Sequence, residues 1–530
     1  MLEISVAEHG TSPPRLSIPR RYNAAYDLIQ RNLAAGRGDK PAFIDDAGPL
    51  TYAELDRRSS AFANVALALG VLPEQRILLC MHDTVEFPVA FLGAIKAGIV
   101  PVAVNTLLTP ADYEYILNDS RTRAAVVSAP LAATFQAFAG RLPHLQRVIV
   151  SGGDAAGPDS LASLTADANT AFECAETSPD DVCFWLYSSG STGAPKGTVH
   201  VHSSLIQTAE LYARPILGIH EGDLVFSAAK LFFAYGLGNA LTFPMAVGAT
   251  AILMAERPTP ASVFARLRRH RPSIFYGVPT LYAAMLASPD LPERNAIALR
   301  CCASAGEALP EEIGKRWSEH FGVDILDGIG STEMLHIFLS NRIGEVRYGT
   351  TGKPVPGYEV RLVDDDGREV DTGQIGELQI SGPTSAAHYW NNREKSRATF
   401  HGPWTRSGDK YRRDSDGYFI YCGRSDDMLK VSGMYVSPVE VESALISHPA
   451  VLEAAVIGRE DDDRLVKPMA FVVLKSGTPA TTELAEALKQ HVKKQLAPYK
   501  YPRWVEFMAE LPKTATGKIQ RFKLRAAKTP

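Results

Sequence analysis

Short apolar runs alternate with amphipathic stretches along most of this chain. Thr51 and Glu54 form the spacing T-x-x-E, which predicts a capped helix start. Leu55, Phe62, Val65, Leu67 and Leu69 ride on that helix, and Gly70 supplies its stop. RILLCM, from Arg76 to Met81, reads as a buried strand. Phe87, Phe91 and Ile95 then recur at helical spacing, with Pro88 tolerated in the first turn. Gly98 ends this helix, and IVPVAVN begins another strand. Strand, helix and strand at short spacing predict a parallel α/β unit.

The theme repeats between Val225 and Leu326, where VFSAA, ATAILM, PSIFYGV, LRCCASA and VDILDGI are apolar runs separated by helical stretches. After Gly349 the texture changes. GYEVRLVDDDGREV and GELQISG alternate like antiparallel strands around Asp-Gly and Gly turns. From Arg424 onward a further unit has strands at AAVIG and PMAFVVL and a helix around Glu483 to Gln495. The expected fold is therefore α/β. A large N-terminal domain (1–423) carries parallel and mixed sheets flanked by helices, plus a β-rich subdomain. A hinge (424–427) leads to a small α+β C-terminal domain (428–530).

Composition narrows the function class. With 530 residues, the chain is too long for one ordinary core. A formal net charge of -4 gives no support for nucleic-acid binding. Six scattered cysteines form no C-x-x-C, which fits buried thiols in a reducing, cytoplasmic setting. The N-terminus shows no apolar leader. Gly236 to Ala255 carries no charge and approaches the length of a membrane span, but Asn239, Thr242, Pro244 and Gly248 interrupt it. A buried helix, a glycine turn and a buried strand are expected there, and no membrane association.

YSSGSTGAPKGT, from Tyr187 to Thr198, raises the question of chemistry. VCFWLY before it and TVHVH after it both read as strands. A Walker loop leads into a helix and carries its lysine after the second glycine, so this is another kind of loop. Its means are similar. Gly190 and Gly193 free the backbone N–H groups to converge on an anion, and Ser188, Ser189, Ser191 and Thr192 add hydroxyls. Lys196 adds a full charge. Taken alone, the stretch fits a flexible linker as well as a phosphate cradle.

The loop resembles the phosphate loop of the acyl-adenylate-forming superfamily, which comprises acyl- and aryl-CoA synthetases, adenylation domains and firefly luciferases. Further motifs similar to that family's follow in order. They are ASAGEAL (303–309), DGIGSTEM (327–334), TGKPVPGYEVRLVD (351–364), GELQISG (376–382), the long run from Arg406 to Glu442, and PKTATGKIQR (512–521). The resemblance covers nearly the whole chain.

It implies two half-reactions. A carboxylate attacks the α-phosphorus of ATP to give acyl-AMP and pyrophosphate, and the thiol of coenzyme A then displaces AMP. It implies that the loop, with Lys196, holds the β- and γ-phosphates, that Thr332 contacts the α-phosphate, and that Glu333 binds Mg2+. The alternative for Thr332 and Glu333 is an ordinary helix start. Ala305, Gly306 and Glu307, with Asp327, Gly328 and Ile329, are implied to line the adenine slot. Asp409 and Arg424 are implied to hold the ribose, against the alternative of a plain ion pair. Lys518 is the implied catalytic lysine of adenylation, and Asp426 the hinge. Rotation there is implied to withdraw Lys518 and bring in the segment from Lys430 to Tyr435, including Gly433, for thioester formation. Without the resemblance Lys518 is a solvated lysine in a basic tail.

The acyl pocket is expected after Lys230 and after Glu333. LFFAYGLGNAL has no charged side chain, and its aromatic rings suit a small planar, neutral ring better than a long chain or an amino acid. KLFFAYGLGN and the His-Ile after STEM resemble pocket segments of the benzoate-CoA ligase group. That resemblance nominates Phe233, Ala234, Tyr235, Gly236, Gly328, Gly330, His336 and Ile337 as the lining. Core packing is the alternative for the aromatic run, and His336 stays open between substrate contact, pocket wall and core histidine. Benzoate is the expected acid, with hydroxy-, amino- and fluorobenzoate open. Partners are then an aromatic carboxylic acid, ATP and coenzyme A, and a homodimer is the expected assembly. A carrier-loading adenylation enzyme and a nucleotide sensor are the competing readings.

Overall fold

The computed structural model describes residues 2–153, 157–188, 194–425, 427–431, 434–461, 465–513 and 519–526. Two large sheets with helices between and outside them form most of the chain. The first sheet has seven strands in the order His388–Tyr389, Lys196–Val201, Val182–Ser188, Val100–Ala103, Arg76–Cys80, Ala124–Ser128 and Arg147–Ser151. Its last five strands are parallel and its first two antiparallel. The second sheet has nine strands. Ile325–Gly330, Cys301–Ser304, Ile274–Gly277, Leu224–Ser227, Thr250–Ile252 and Pro41–Asp45 are its parallel centre.

Strand alternation decides which layer each side chain joins. Ile77 and Leu79 face the central helical layer, whereas Leu78 and Cys80 face the outer helix Pro110–Asp119. In the second sheet Val225 and Ala251 face the centre, and Phe226 and Ile252 face Pro260–His270, Pro279–Leu286 and Glu311–Phe321. The central layer includes Tyr52–Ala68, whose Thr51–Glu54 capping box is present, and Glu86–Lys96. Phe87 and Phe91 of the latter are fully buried. Each such ring contributes about 2–3 kcal/mol of burial.

The segment that mimicked a membrane span is interior, as its interruptions predicted. Ala234–Leu237 passes through a π-helical turn at Gly238–Thr242 into Phe243–Val247, and Gly248 turns the chain into Thr250–Ile252. No described helix is long and apolar enough to cross a membrane.

A third, antiparallel sheet pairs Glu359–Val363 with Ile375–Ser381, then Trp404–Arg413, then Phe419–Arg424. Beyond it the strands Leu429–Val431 and Met434–Val436 form a hairpin. A sheet of Val451–Glu460, Val466–Leu474 and Trp504–Phe507 follows, with Pro438–Ile446 and Thr482–Gln495 packed on one face. Its other face carries Ile457, Phe471, Leu511 and Leu524. Arg521 lies 2.8 Å from Glu442 and 3.6 Å from Asp427, so the final helix Arg521–Ala526 is tied to the start of this unit.

Candidate functional site

The strands Val182–Ser188 and Lys196–Val201 pair antiparallel, with Lys196 opposite Ser188. The phosphate-loop candidate therefore starts and ends on paired strands. Ser189, Gly190, Ser191, Thr192 and Gly193 lie outside the described residues. Lys196 is half-buried, and burial pulls its ammonium below the ordinary lysine value while Glu333 opposes that shift.

Thr332 and Glu333 sit in the turn between Ile325–Gly330 and Ile337–Ser340. This is a turn and not the helix start that Ser-Thr-Glu also allowed, and Ser331 Oγ accepts the Met334 N–H at 3.1 Å. The turn is held from two directions. The His200 ring reaches the Thr332 carbonyl, and the Ala386 N–H donates to the Glu333 carbonyl at 2.7 Å. The Glu333 carboxylate accepts from Tyr389 Oη at 2.7 Å and from Ser188 Oγ at 3.4 Å. Tyr389 also receives the Lys196 ammonium, 4.5 Å from its ring centroid.

Neighbouring groups belong to three sheets. Asp327 stands opposite Ser304 on adjacent parallel strands. It is buried, and desolvation raises its pKa well above the usual carboxylate range. Ala305, Gly306 and Glu307 follow directly after the Ser304 strand end, and Gly328 and Ile329 continue from Asp327. On the third sheet Asp409 and Arg424 face each other, with Arg424 Nη1 3.1 Å from Asp409 Oδ1. Arg424 acts electrostatically on both Lys196 and Tyr389, so this pair belongs to the same neighbourhood.

The proposed acyl-pocket segments also converge. Phe233 caps the short helix Ala234–Leu237. His336 Nε2 lies 3.3 Å from the Tyr235 carbonyl and 3.2 Å from Asn239 Oδ1. Both are acceptors, so Nε2 carries the proton. The His336 ring packs among Tyr212, Tyr235 and Phe243, with centroids 5.2, 5.6 and 4.5 Å away. Burial lowers its pKa to about 3. Two glycines permit this closeness. A Cβ on Gly236 would stand 2.2 Å from the Lys230 carbonyl oxygen, and one on Gly238 would stand 2.4 Å from His336 Cδ2. Gly330 approaches the His336 backbone, and Ile337 begins the next strand beside Gly328. Asp83, buried at the end of the first sheet, accepts the Leu231 N–H with both carboxylate oxygens at 3.2 Å and so anchors the start of this segment.

Lys430 lies on the strand Leu429–Val431, opposite Tyr435. Asp426, Gly433 and Lys518 lie outside the described residues. His200, Asp83 and Tyr389 escaped the sequence reading. TVHVH shows only a strand pattern, and nothing local in Cys80–Thr84 or Ala386–Asn391 marks the contact of Asp83 with Leu231, 148 residues on, or of Tyr389 with Glu333, 56 residues back.

Residues 30–390 match the family model described as AMP-binding enzyme, and residues 440–518 match AMP-binding enzyme C-terminal domain. The chain is 66% identical over 529 residues to a benzoate–CoA ligase of Thauera aromatica, covering 99% of this chain and 100% of that one. It is 53% identical over 513 residues to a 4-hydroxybenzoate–CoA/benzoate–CoA ligase of Rhodopseudomonas palustris, covering 96% and 94%. A solved benzoate CoA ligase from Burkholderia xenovorans LB400 superposes with a TM-score of 0.88 at 59% identity, covering 95% of this chain and 99% of that one.

Proposed function

The chain belongs to the AMP-binding enzyme family, and from that premise we propose that it is an ATP-dependent aryl-CoA ligase that converts benzoate to benzoyl-CoA. The observation that carries this reading is full-length identity of 66% to a benzoate–CoA ligase, with an apolar aromatic pocket segment beside a charged phosphate end.

The chemistry needs two displacements because a carboxylate oxygen is a poor leaving group. A benzoate oxygen attacks the α-phosphorus of ATP, the bond from that phosphorus to pyrophosphate breaks, and benzoyl-AMP forms. The sulfur of coenzyme A then attacks the acyl carbon, its proton leaves to solvent, and AMP departs. Charge grows on the phosphate oxygens in the first step, so donors fixed beforehand lower its barrier. In this reading Ser188, residues 189–193 and Lys196 hold the outgoing pyrophosphate, and Thr332 holds the α-phosphate. Residues 305–307 and 327–329 take the adenine, and Asp409 with Arg424 takes the ribose. Phe233, Ala234, Tyr235, Gly236, Gly330, His336 and Ile337 enclose the ring, and Gly328 borders both pockets. Lys518 serves adenylation, whereas Lys430 and Gly433 serve the thioester step after rotation at Asp426.

Magnesium belongs to the proposal. Glu333 offers a hard carboxylate whose Oε1 is already oriented by two hydroxyls, which fits an ion that takes few protein ligands and shares phosphate oxygens. Bound there with ATP, it supplies neutralisation of phosphate charge. The described cysteines are all unpaired thiols, which supports a cytoplasmic setting.

The test offers ATP, Mg2+ and a panel of benzoates, with and without coenzyme A. Benzoyl-CoA formed fastest from benzoate and only with coenzyme A upholds the reading. Benzoyl-AMP without thioester transfers it to carrier loading, and nucleotide binding without turnover of any acid transfers it to a sensor.

A further inference from the structure

Lys196 and Glu333 are opposite charges close enough to act on each other electrostatically, yet no ion pair joins them among the described residues. Tyr389 stands between them. Its ring face receives the Lys196 ammonium at 4.5 Å and its hydroxyl donates to Glu333 Oε1 at 2.7 Å. The residue is buried and packs against Phe400.

The backbone around Tyr389 is fixed as firmly as its side chain. His388–Tyr389 pairs as a two-residue strand with Thr198 and Val199 of the hairpin. The Trp390 N–H donates to the Gly197 carbonyl at 2.8 Å, and the indole N–H reaches the Asp119 carbonyl at 2.8 Å. On the other side Thr384 Oγ1 donates to the Met334 carbonyl at 2.7 Å, next to the Ala386–Glu333 bond. Residues 384–390 thus strap the hairpin to the turn, with Tyr389 at the crossing.

We propose that Tyr389 is a positioning residue that keeps Lys196 and Glu333 apart, holding one on its ring and the other on its hydroxyl until nucleotide arrives. Two half-buried opposite charges attract strongly, and a direct pair would neutralise the cation meant for phosphate and the anion meant for the metal. The aromatic face satisfies the ammonium without cancelling its charge, and the hydroxyl orients the carboxylate while leaving lone pairs open. The inference rests on the ligase reading for the roles of the two charges, but its test needs ATP binding alone.

The experiment is calorimetric binding of ATP without acid, in EDTA and across a Mg2+ series, with melting curves to check folding. Tyr389→Leu removes the spacer, and ATP binding in EDTA is expected to weaken about tenfold as Lys196 turns to Glu333. Tyr389→Phe keeps the ring. Binding in EDTA should stay within about twofold, whereas the Mg2+ concentration at half-effect should rise about threefold through the loss of one hydrogen bond. Adding Glu333→Gln to Tyr389→Leu removes the competing anion and should restore most of the EDTA affinity. A role in packing alone predicts that Glu333→Gln changes EDTA affinity by the same factor in the wild-type and Tyr389→Leu backgrounds, since relief of charge repulsion on ATP is common to both. Unchanged binding in Tyr389→Leu, or a gain from Glu333→Gln no larger there than in the wild-type background, overturns the proposal. If Tyr389→Leu does not fold, an unshifted Mg2+ response in Tyr389→Phe overturns it. Absence of thioester formation by the wild type would instead remove the ligase reading.

Discussion

His200 Nε2 lies 2.8 Å from the carbonyl oxygen of Thr332. A carbonyl only accepts, so this ring nitrogen carries the proton and donates. The ring is fully buried and stacks on Phe184 with centroids 5.2 Å apart. Burial lowers its pKa to about 4, so it is neutral under ordinary conditions. His200→Gln keeps a donor at the same reach and should hold ATP–pyrophosphate exchange within about threefold of wild type. His200→Leu leaves a carbonyl unpaired at the turn proposed to hold the α-phosphate. Exchange should fall roughly 10- to 100-fold, as expected for a penalty of about 1–3 kcal/mol expressed in the barrier. Equal rates for both variants would deny the bond any part in adenylation.

His202 performs a different task. Its Nδ1 accepts the Ala24 N–H at 3.1 Å, and burial lowers its pKa to about 4 from an ordinary 6.5. Between those values the unfolded chain takes up a proton that the folded chain refuses. Its stabilising contribution is complete above about pH 6.5 and is lost as the pH falls toward 4, at about 1.4 kcal/mol per unit. His202→Asn retains an acceptor without the titration. Urea denaturation at several pH values should show a shallower acid dependence by about that slope, and parallel curves would refute the assignment.

Asp409 and Arg424 face one another across adjacent strands and are the proposed ribose holders. Asp409→Ala removes the acceptor for the hydroxyls. The KM for ATP should rise about tenfold with a smaller change in kcat, the pattern of binding lost equally in ground and transition states. An unchanged KM would reduce the pair to a structural ion pair.

Gly236 has no room for a side chain because a Cβ would meet the Lys230 backbone at 2.2 Å. Gly236→Ala must displace the turn that opens the proposed acyl pocket. A loss of about 1–3 kcal/mol in stability and a raised KM for benzoate are expected together. Gly238→Ala presses on the His336 ring, which has more freedom than backbone, so its melting point should fall less.

Lys518 is proposed for the first half-reaction alone. Lys518→Ala should abolish pyrophosphate exchange while largely preserving benzoyl-CoA formation from supplied benzoyl-AMP. Exchange near the wild-type rate would remove it from the mechanism.

Local pattern carried much of this structure. The capping box at Thr51, the apolar runs of both large sheets and the glycine breaks near Gly248 are decided by residues close in sequence, and they formed where expected. The strand-flanked setting of the proposed phosphate loop was legible for the same reason. What escaped depends on distant pairing. Pro41–Asp45 and Gly48–Thr51 join the second sheet, although the elements that follow them build the first. Thr332 and Glu333 have good capping chemistry, but the antiparallel return from Gly330 to Ile337 makes their segment a turn. Tyr389 gains its partners only when the third sheet's connecting segment crosses back to Val199.

That crossing also bears on synthesis. The hairpin strand Lys196–Val201 has one neighbour in Val182–Ser188, and its outer edge is covered only by His388–Tyr389. At ribosomal speed the covering dipeptide emerges on the order of 10–40 s later. During that interval the nascent chain presents an unpaired strand edge, the kind of template on which other chains add. The strand His388–Tyr389 is therefore also a seal, and truncation before it leaves a chain prone to association.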